Sequence, residues 1–323
     1  MTATNRQSRL FTTLAATVLL GAGLAGCSTG GSSSGAETGD EATAVKIGFI
    51  NGANNEWGTC LENGVEAAAT AGGVELLVAN SDTDAAKETA NIEDMITRGV
   101  DAIVLNTVSV DAMTGGIQKA NAADIPVYLV AVVPEDLSGV LGATVVDLPG
   151  VGALAAGWIA EDAGDQAVDV AVVAGAPGAA SDYVVAGFTG ALPESATVVA
   201  EQPGMFNRAK AQEVAENIIQ AQPDVDYVFV LNEDMAFGVR TALDAAGATE
   251  VKIVTMNGTE PGLAAVEDGQ FSATVSDSAA DLGARSIENA LALLDGSSSE
   301  KVFQMPTTLI TADNLDEATA FCG

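Results

Sequence analysis

Histidine is absent from the 323-residue chain. With it go the commonest general base and the commonest transition-metal ligand, so Ser-His-Asp hydrolysis is excluded and no zinc site is expected. Basic residues are scarce: 12 lysines and arginines stand against 44 aspartates and glutamates, for a net charge of −32. Nucleic-acid binding needs a basic surface to neutralise phosphates, and this chain has too few cations to build one. Aromatic residues make up only 4% of a chain that is 48% hydrophobic, so the core must rest on alanine, valine, leucine and isoleucine. Beyond residue 24 no stretch approaches 18 continuous apolar residues, so the body that follows is read as water-soluble. Only three cysteines occur, Cys27, Cys60 and Cys322, and none lies in a C-x-x-C spacing.

The first residues carry the three parts of an export signal. Arg6 and Arg9 are followed by an apolar run over 10–24, then by small residues leading to Cys27. The sequence Leu24-Ala25-Gly26-Cys27 resembles the lipobox of bacterial lipoproteins. That resemblance implies a signal peptide over 1–26, cleavage before Cys27, and lipid on Cys27 as a membrane anchor. Residues 28–44 (STGGSSSGAETGDEATA) hold no large apolar side chain and read as a flexible tether spanning about 20–25 Å. With Cys27 lipidated, Cys60 and Cys322 remain, either as a disulfide in an oxidising compartment or as two separate thiols. A bridge between them would close a loop worth at most about 5–6 kcal/mol on chain-entropy grounds.

From residue 45 onward, short β-branched runs alternate with helical patterns. Strands are expected at 45–51, 74–80, 102–106, 127–131 and 140–146, and after that at 168–174, 197–202, 227–231, 251–256 and 271–276. Helices are expected at 57–71, 84–98, 112–123, 179–192, 208–221, 235–246 and 282–294. Continuous apolar strands separated by helices indicate parallel sheets covered on both faces. Because the pattern runs twice, the expected class is α/β with two doubly wound parallel-sheet lobes. Ligands of such lobes bind beyond the carboxyl ends of the strands, so strand-end residues are the functional candidates.

Four stretches carry a further resemblance: AKETANIEDMITRGVDAIVLN (86–106), KANAADIPV (119–127), PDVDYVFVLNEDMAFGVRTAL (223–243) and SATVSDSAADLGARSIENAL (272–291). In order and spacing they resemble the periplasmic sugar-binding proteins of the ribose-binding type, the substrate receptors of ABC importers. The resemblance implies a type I periplasmic binding protein whose two lobes are joined by a three-segment hinge near Asp147, Asp277 and Met305. It places 45–146 with about 278–305 in the N-terminal lobe, and 147–277 with about 306–323 in the C-terminal lobe and tail.

The implied ligand contacts are Asn51, Asn55, Trp57, Asp182, Phe206, Asn232, Asn257 and Asp277. Each has a plainer alternative. The strand-end asparagines could cap loops, Trp57 could staple its helix and Phe206 could be core. Asp182 could serve the helix dipole, and Asp277 could cap the hinge. The chain also departs from the ribose pattern. Ala131 and Val132 replace an aspartate and an arginine, and Asp182 replaces a second arginine. A cleft without arginines disfavours ribose and anionic ligands, and suits a neutral sugar or polyol, with a cationic or amine-bearing molecule as the alternative. The implied protein is a monomeric, non-enzymatic receptor, anchored by lipid outside the cytoplasm and using no cofactor. It would serve an ABC permease or, alternatively, present its ligand to a membrane sensor.

Overall fold

The computed structural model describes residues 44–134 and 136–323. The export signal, Cys27 and the tether up to residue 43 lie outside the described residues.

In the first lobe, strands β1 (Lys46–Asn51), β2 (Glu75–Asn80), β3 (Ala102–Asn106), β4 (Val127–Ala131) and β5 (Gly142–Val146) alternate with helices α1 (Glu56–Ala71), α2 (Ala85–Thr97) and α3 (Val110–Ala122). In the second lobe, α4 (Leu148–Ala163) precedes β6 (Val168–Ala174), α5 (Ala179–Ala191), β7 (Ala196–Pro203), α6 (Arg208–Ala221), β8 (Tyr227–Val230), α7 (Glu233–Ala246), β9 (Lys252–Asn257), α8 (Glu260–Glu267) and β10 (Ala273–Ser276). Helix α9 (Ala279–Leu294), strands β11 (Val302–Met305) and β12 (Thr308–Ile310) and a single 3-10 turn at Leu315–Glu317 complete the regular structure. The first sheet runs β11-β5-β4-β3-β1-β2 and is wholly parallel. The second runs β12-β10-β9-β8-β6-β7, with only β12 antiparallel.

Both faces of the first sheet are covered, which is why its inner strands β3 and β4 read as nearly continuous apolar runs. Phe49 and Val104 pack with Leu61 and Val65 of α1 and Ile287 of α9. Ile50, Ile103 and Leu105 pack with Ile92 and Met95 of α2 and Met113 of α3. Each such buried side chain contributes roughly 1.5–3 kcal/mol. In the second lobe the rings of Phe188 on α5 and Phe229 on β8 stack at 4.3 Å. Among the described helices all but α5 open on an Asn, Asp, Ser or Thr whose side chain accepts a backbone N–H.

The chain crosses between the sheets at three places. Asp147 caps α4 through Gly150 N at 2.9 Å, and α4 packs on α5 and on β9 and β10 of the second lobe. Asp277 and Ser278 lead from β10 into α9, which packs on α1 and on β3, β4 and β5 of the first lobe. The third crossing joins β11 to β12. Each lobe thus completes its helical layer with a helix that follows a strand of the other. The two pairings are backbone-close: a Cβ at Gly64 of α1 would lie 1.9 Å from Ala280 O, and one at Gly152 of α4 would lie 2.1 Å from Val184 O.

The tail differs from a simple end to the second lobe. After β12 it turns back to the first, where Cys322 is disulfide-bonded to Cys60 of α1 with Cα atoms 4.7 Å apart. Of the two readings of these cysteines, the bonded pair is the one in the structure. Helices α4 and α8 and strands β11 and β12 are additions to the elements expected from the sequence; α4 escapes periodicity because small apolar residues of its run LPGVGALAAGWIAEDA stand on every side of the helix. The other three are short, which leaves periodicity little length to register.

Candidate functional site

Polar side chains collect at the carboxyl ends of the strands, and the structure divides them into residues that build the loops and residues left facing outward. Asn51 ends β1 and is 1% exposed. Its amide donates to Gly58 O at 2.9 Å and to Glu62 Oε2 at 3.2 Å, and its oxygen accepts from Ala53 N at 3.1 Å. Asn51 therefore knits the turn that presents Asn55 and Trp57. Asn55 caps α1, accepting from Gly58 N at 3.0 Å, and is half-buried. Trp57 is also half-buried and packs against Cys60, Ala279 and Phe321.

Beside Asn51 on the next strand stands Asn106, its register partner, 6% exposed. Asn106 was not singled out from the sequence, although the strand-end rule that selected Asn51 applies equally to the last residue of 102–106. The loop after it is pinned from below by Glu88 of α2, which is buried and accepts from Thr107 Oγ1 at 2.8 Å and from Val108 N. Burial raises the Glu88 carboxyl, and these two hydrogen bonds oppose the rise.

In the second lobe the ring of Phe206 lies over Gly175 at the end of β6, where a Cβ would come within 2.1 Å of the ring. Asp182 sits exposed in the first turn of α5, next to the exposed Tyr183. Asn232 caps α7, accepting from Met235 N at 2.8 Å, and stays half-buried. Glu233, one residue on, is 1% exposed and receives four hydrogen bonds. Gly258 N donates at 2.9 Å, Thr259 N at 2.8 Å, Thr274 Oγ1 at 2.7 Å, and Thr259 Oγ1 adds a close contact.

These bonds hold the turn that follows Asn257, whose φ of 129° is one of several strained backbones in the site. Among the described non-glycine residues with positive φ, Asp82, Thr83, Ala131, Met205, Phe206 and Asn257 all end or follow strands, and only Asp124 lies elsewhere. Asn257 and Asp277 are joined through the backbone, Asp277 N donating to Asn257 O at 3.2 Å. Asp277 is 6% exposed, and its Oδ1 has no hydrogen-bond partner among the described residues. Burial, then the negative charge of Glu233, pushes the Asp277 carboxyl up to about 7 against hydrogen bonding from its own backbone and Asn257.

No loop leaving a carboxyl strand end contains a lysine or arginine. Lys87 and Arg208, in the first helical turns beyond two of those loops, are already ion-paired with Asp82 and Asp234. Among the described residues no group of three acidic or cysteine side chains converges to hold a metal. The candidate residues thus supply amides, carboxylates and two aromatic rings. Such a set can bond hydroxyl or amine hydrogens and cover C–H surfaces, while it offers no cation to an anion.

Residues 47–298 match the periplasmic binding protein domain family. The chain belongs to that family. It is a periplasmic binding protein of the ribose-binding type, and its two lobes and three crossings are the type I architecture. The ribose import binding protein RbsB of Bacillus subtilis is 32% identical over 263 residues, covering 80% of this chain and 84% of that relative. A xylitol-binding protein of Mycolicibacterium smegmatis is 27% identical over 318 residues, covering 94% of this chain and 86% of the relative. The crystal structure of the binding protein of the arabinose ABC transporter from Shewanella sp. ANA-3, bound to arabinofuranose, superposes with a TM-score of 0.78 at 27% identity. That match covers 84% of this chain and 94% of the Shewanella protein.

Proposed function

We propose that this binding protein captures a small neutral sugar or polyol other than ribose outside the cytoplasm and delivers it to an ABC permease. Lipid on Cys27 would hold it at the membrane as a monomer. The observation that carries the reading is the cation-free rim of strand ends, lined by amides and carboxylates, with Trp57 and Phe206 to cover a sugar's C–H faces. Asn55, Asn106, Asn232, Asn257, Asp182 and Asp277 are the hydrogen-bonding set, and Asn51 acts by shaping the turn that carries Asn55 and Trp57. A ligand touching both lobes favours their closed arrangement, and the permease reads that arrangement. The chemistry needs no proton transfer or cofactor, so the protein is a receptor rather than an enzyme. The relatives' ligands, ribose, xylitol and arabinofuranose, support the neutral polyhydroxyl class.

One observation favours a second ligand class. The partnerless Oδ1 of Asp277, in a site with no arginine, would also reward an amine-bearing molecule. A thermal-shift and calorimetry panel of neutral sugars, polyols, amino sugars and sugar acids separates the two. A neutral ligand at a hundredfold excess over its Kd is expected to add about 2.7 kcal/mol of stability, and sugar acids none. Strongest stabilisation by amino sugars would select the second class, and stabilisation by sugar acids would sink both. Asp182→Ala is expected to weaken the best ligand about tenfold or more, the size of a charged hydrogen bond.

A further inference from the structure

The last residues of the chain do more than end it. Beyond β12, on the second lobe, the tail runs alongside the crossing that carries Asp277. Ser276 and Thr319 hydroxyls meet at 3.5 Å, Ser278 Oγ donates to Ala320 O at 2.6 Å, and Ala280 N donates to Phe321 O at 3.2 Å. The crossing from β10 to α9 is therefore two chains thick. One residue later Cys322 is bonded to Cys60 in α1, so the second ply is covalently fastened to the first lobe. Phe321, 6% exposed, closes a small apolar cluster with Cys60 and Ala279, and the half-buried indole of Trp57 rests against that cluster. Residues 57 and 60 share one helix face, so the bridged cysteine and the indole move together.

We propose that the C-terminal tail, 319–323, is a disulfide-locked strap that seats Trp57 and braces the Asp277 crossing, making Phe321 and Cys322 positioning residues for the ligand site. Only the consequence for ligand rests on reading Trp57 as a ligand contact; the seating itself is measured with no ligand present. If the strap is opened, Phe321 loses its tie to α1, the apolar seat loosens, and the crossing is left with one ply. Because Cys322 is exposed while Cys60 is 1% exposed, a thiol reductant meets the bridge from the Cys322 side.

The test is acrylamide quenching of Trp57 in a Trp158→Phe background, which leaves one tryptophan. Cys60→Ser with Cys322→Ser, and separately Phe321→Ala with the bridge intact, are each expected to raise the quenching constant about twofold or more, as a half-buried indole loses its cover. The far-UV circular dichroism should stay unchanged, a pairing that general loss of structure would not give. Should the cysteine variant fail to fold, dithiothreitol added to folded Trp158→Phe protein gives the same comparison. Unchanged quenching after reduction and in Phe321→Ala would overturn the strap. A quenching response to reduction without any response to the ligand panel would instead overturn Trp57 as a ligand contact and leave the strap standing.

Discussion

The two lobes solve one structural problem with the same residue type and reach different results. In each, a buried glutamate on a helix reaches under the sheet end and holds the loop of a neighbouring strand. In the first lobe Glu88 receives Thr107 Oγ1 and Val108 N. In the second Glu233 receives two backbone N–H groups and two threonine hydroxyls. The difference matters because Glu233 has a second carboxyl, Asp277, near it and Glu88 has none that shifts it. Burial raises the Glu233 carboxyl, and four donors oppose the rise. Asp277 keeps one oxygen unpartnered, and burial with the Glu233 charge pushes its carboxyl up to about 7. Two buried acids in one lobe thus differ in how many donors each receives.

Removing the two pins is the sharpest way to break this comparison. Glu233→Ala leaves four buried donors without an acceptor and is expected to cost about 3–5 kcal/mol in urea unfolding, against about 1–3 kcal/mol for Glu88→Ala. Equal losses would mean that donor count does not distinguish the lobes.

The helix pairings give a comparison expected to come out even. Gly64→Ala forces α1 off α9, and Gly152→Ala forces α4 off α5. Each is expected to cost about 1–3 kcal/mol by overpacking, read as a drop in Tm. A loss confined to one would show that only that pair is rigid.

The pH dependence is the effect most specific to the second lobe. The folded Asp277 carboxyl lies at about 7, above its ordinary 3.8, so between those values the native state holds a proton that the unfolded chain has released. Its contribution to stability is complete below pH 3.8, falls as pH rises to about 7, and is flat beyond. Asp277→Asn is expected to remove that slope from Tm-against-pH curves, and an unchanged slope would put the titration elsewhere. On the proposed reading, a ligand hydroxyl donating to Asp277 bonds the charged carboxylate more strongly than the neutral acid. Affinity for a neutral sugar should therefore rise with pH through about 7, with proton release visible in buffer-dependent calorimetry.

Much of the fold was legible before any coordinates. Runs such as VYLVA (127–131) and YVFVL (227–231) are apolar at every position because both sheet faces are covered, and that is a local property of sequence. Caps such as Asn232 and Ser278 are local too, since a side chain and the N–H it bonds lie three residues apart. The candidate site was legible in outline, as polar residues at strand ends. Asn51, however, turned inward to bond its own loop, while its neighbour Asn106 went unnoticed. Which way an amide faces depends on what lies across from it.

By itself, then, the sequence determined most of the order of strands and helices, the tandem repetition of the pattern and the absence of cations where the strands end. Each of these follows from residues within a few positions of one another. Tertiary structure alone decided that α4 and α9 serve the lobe opposite the strand they follow, that Glu88 and Glu233 pin loops 20 and 25 residues away, and that the tail returns to Cys60. Those outcomes depend on contacts between distant segments, whose energies appear only when both partners are buried together.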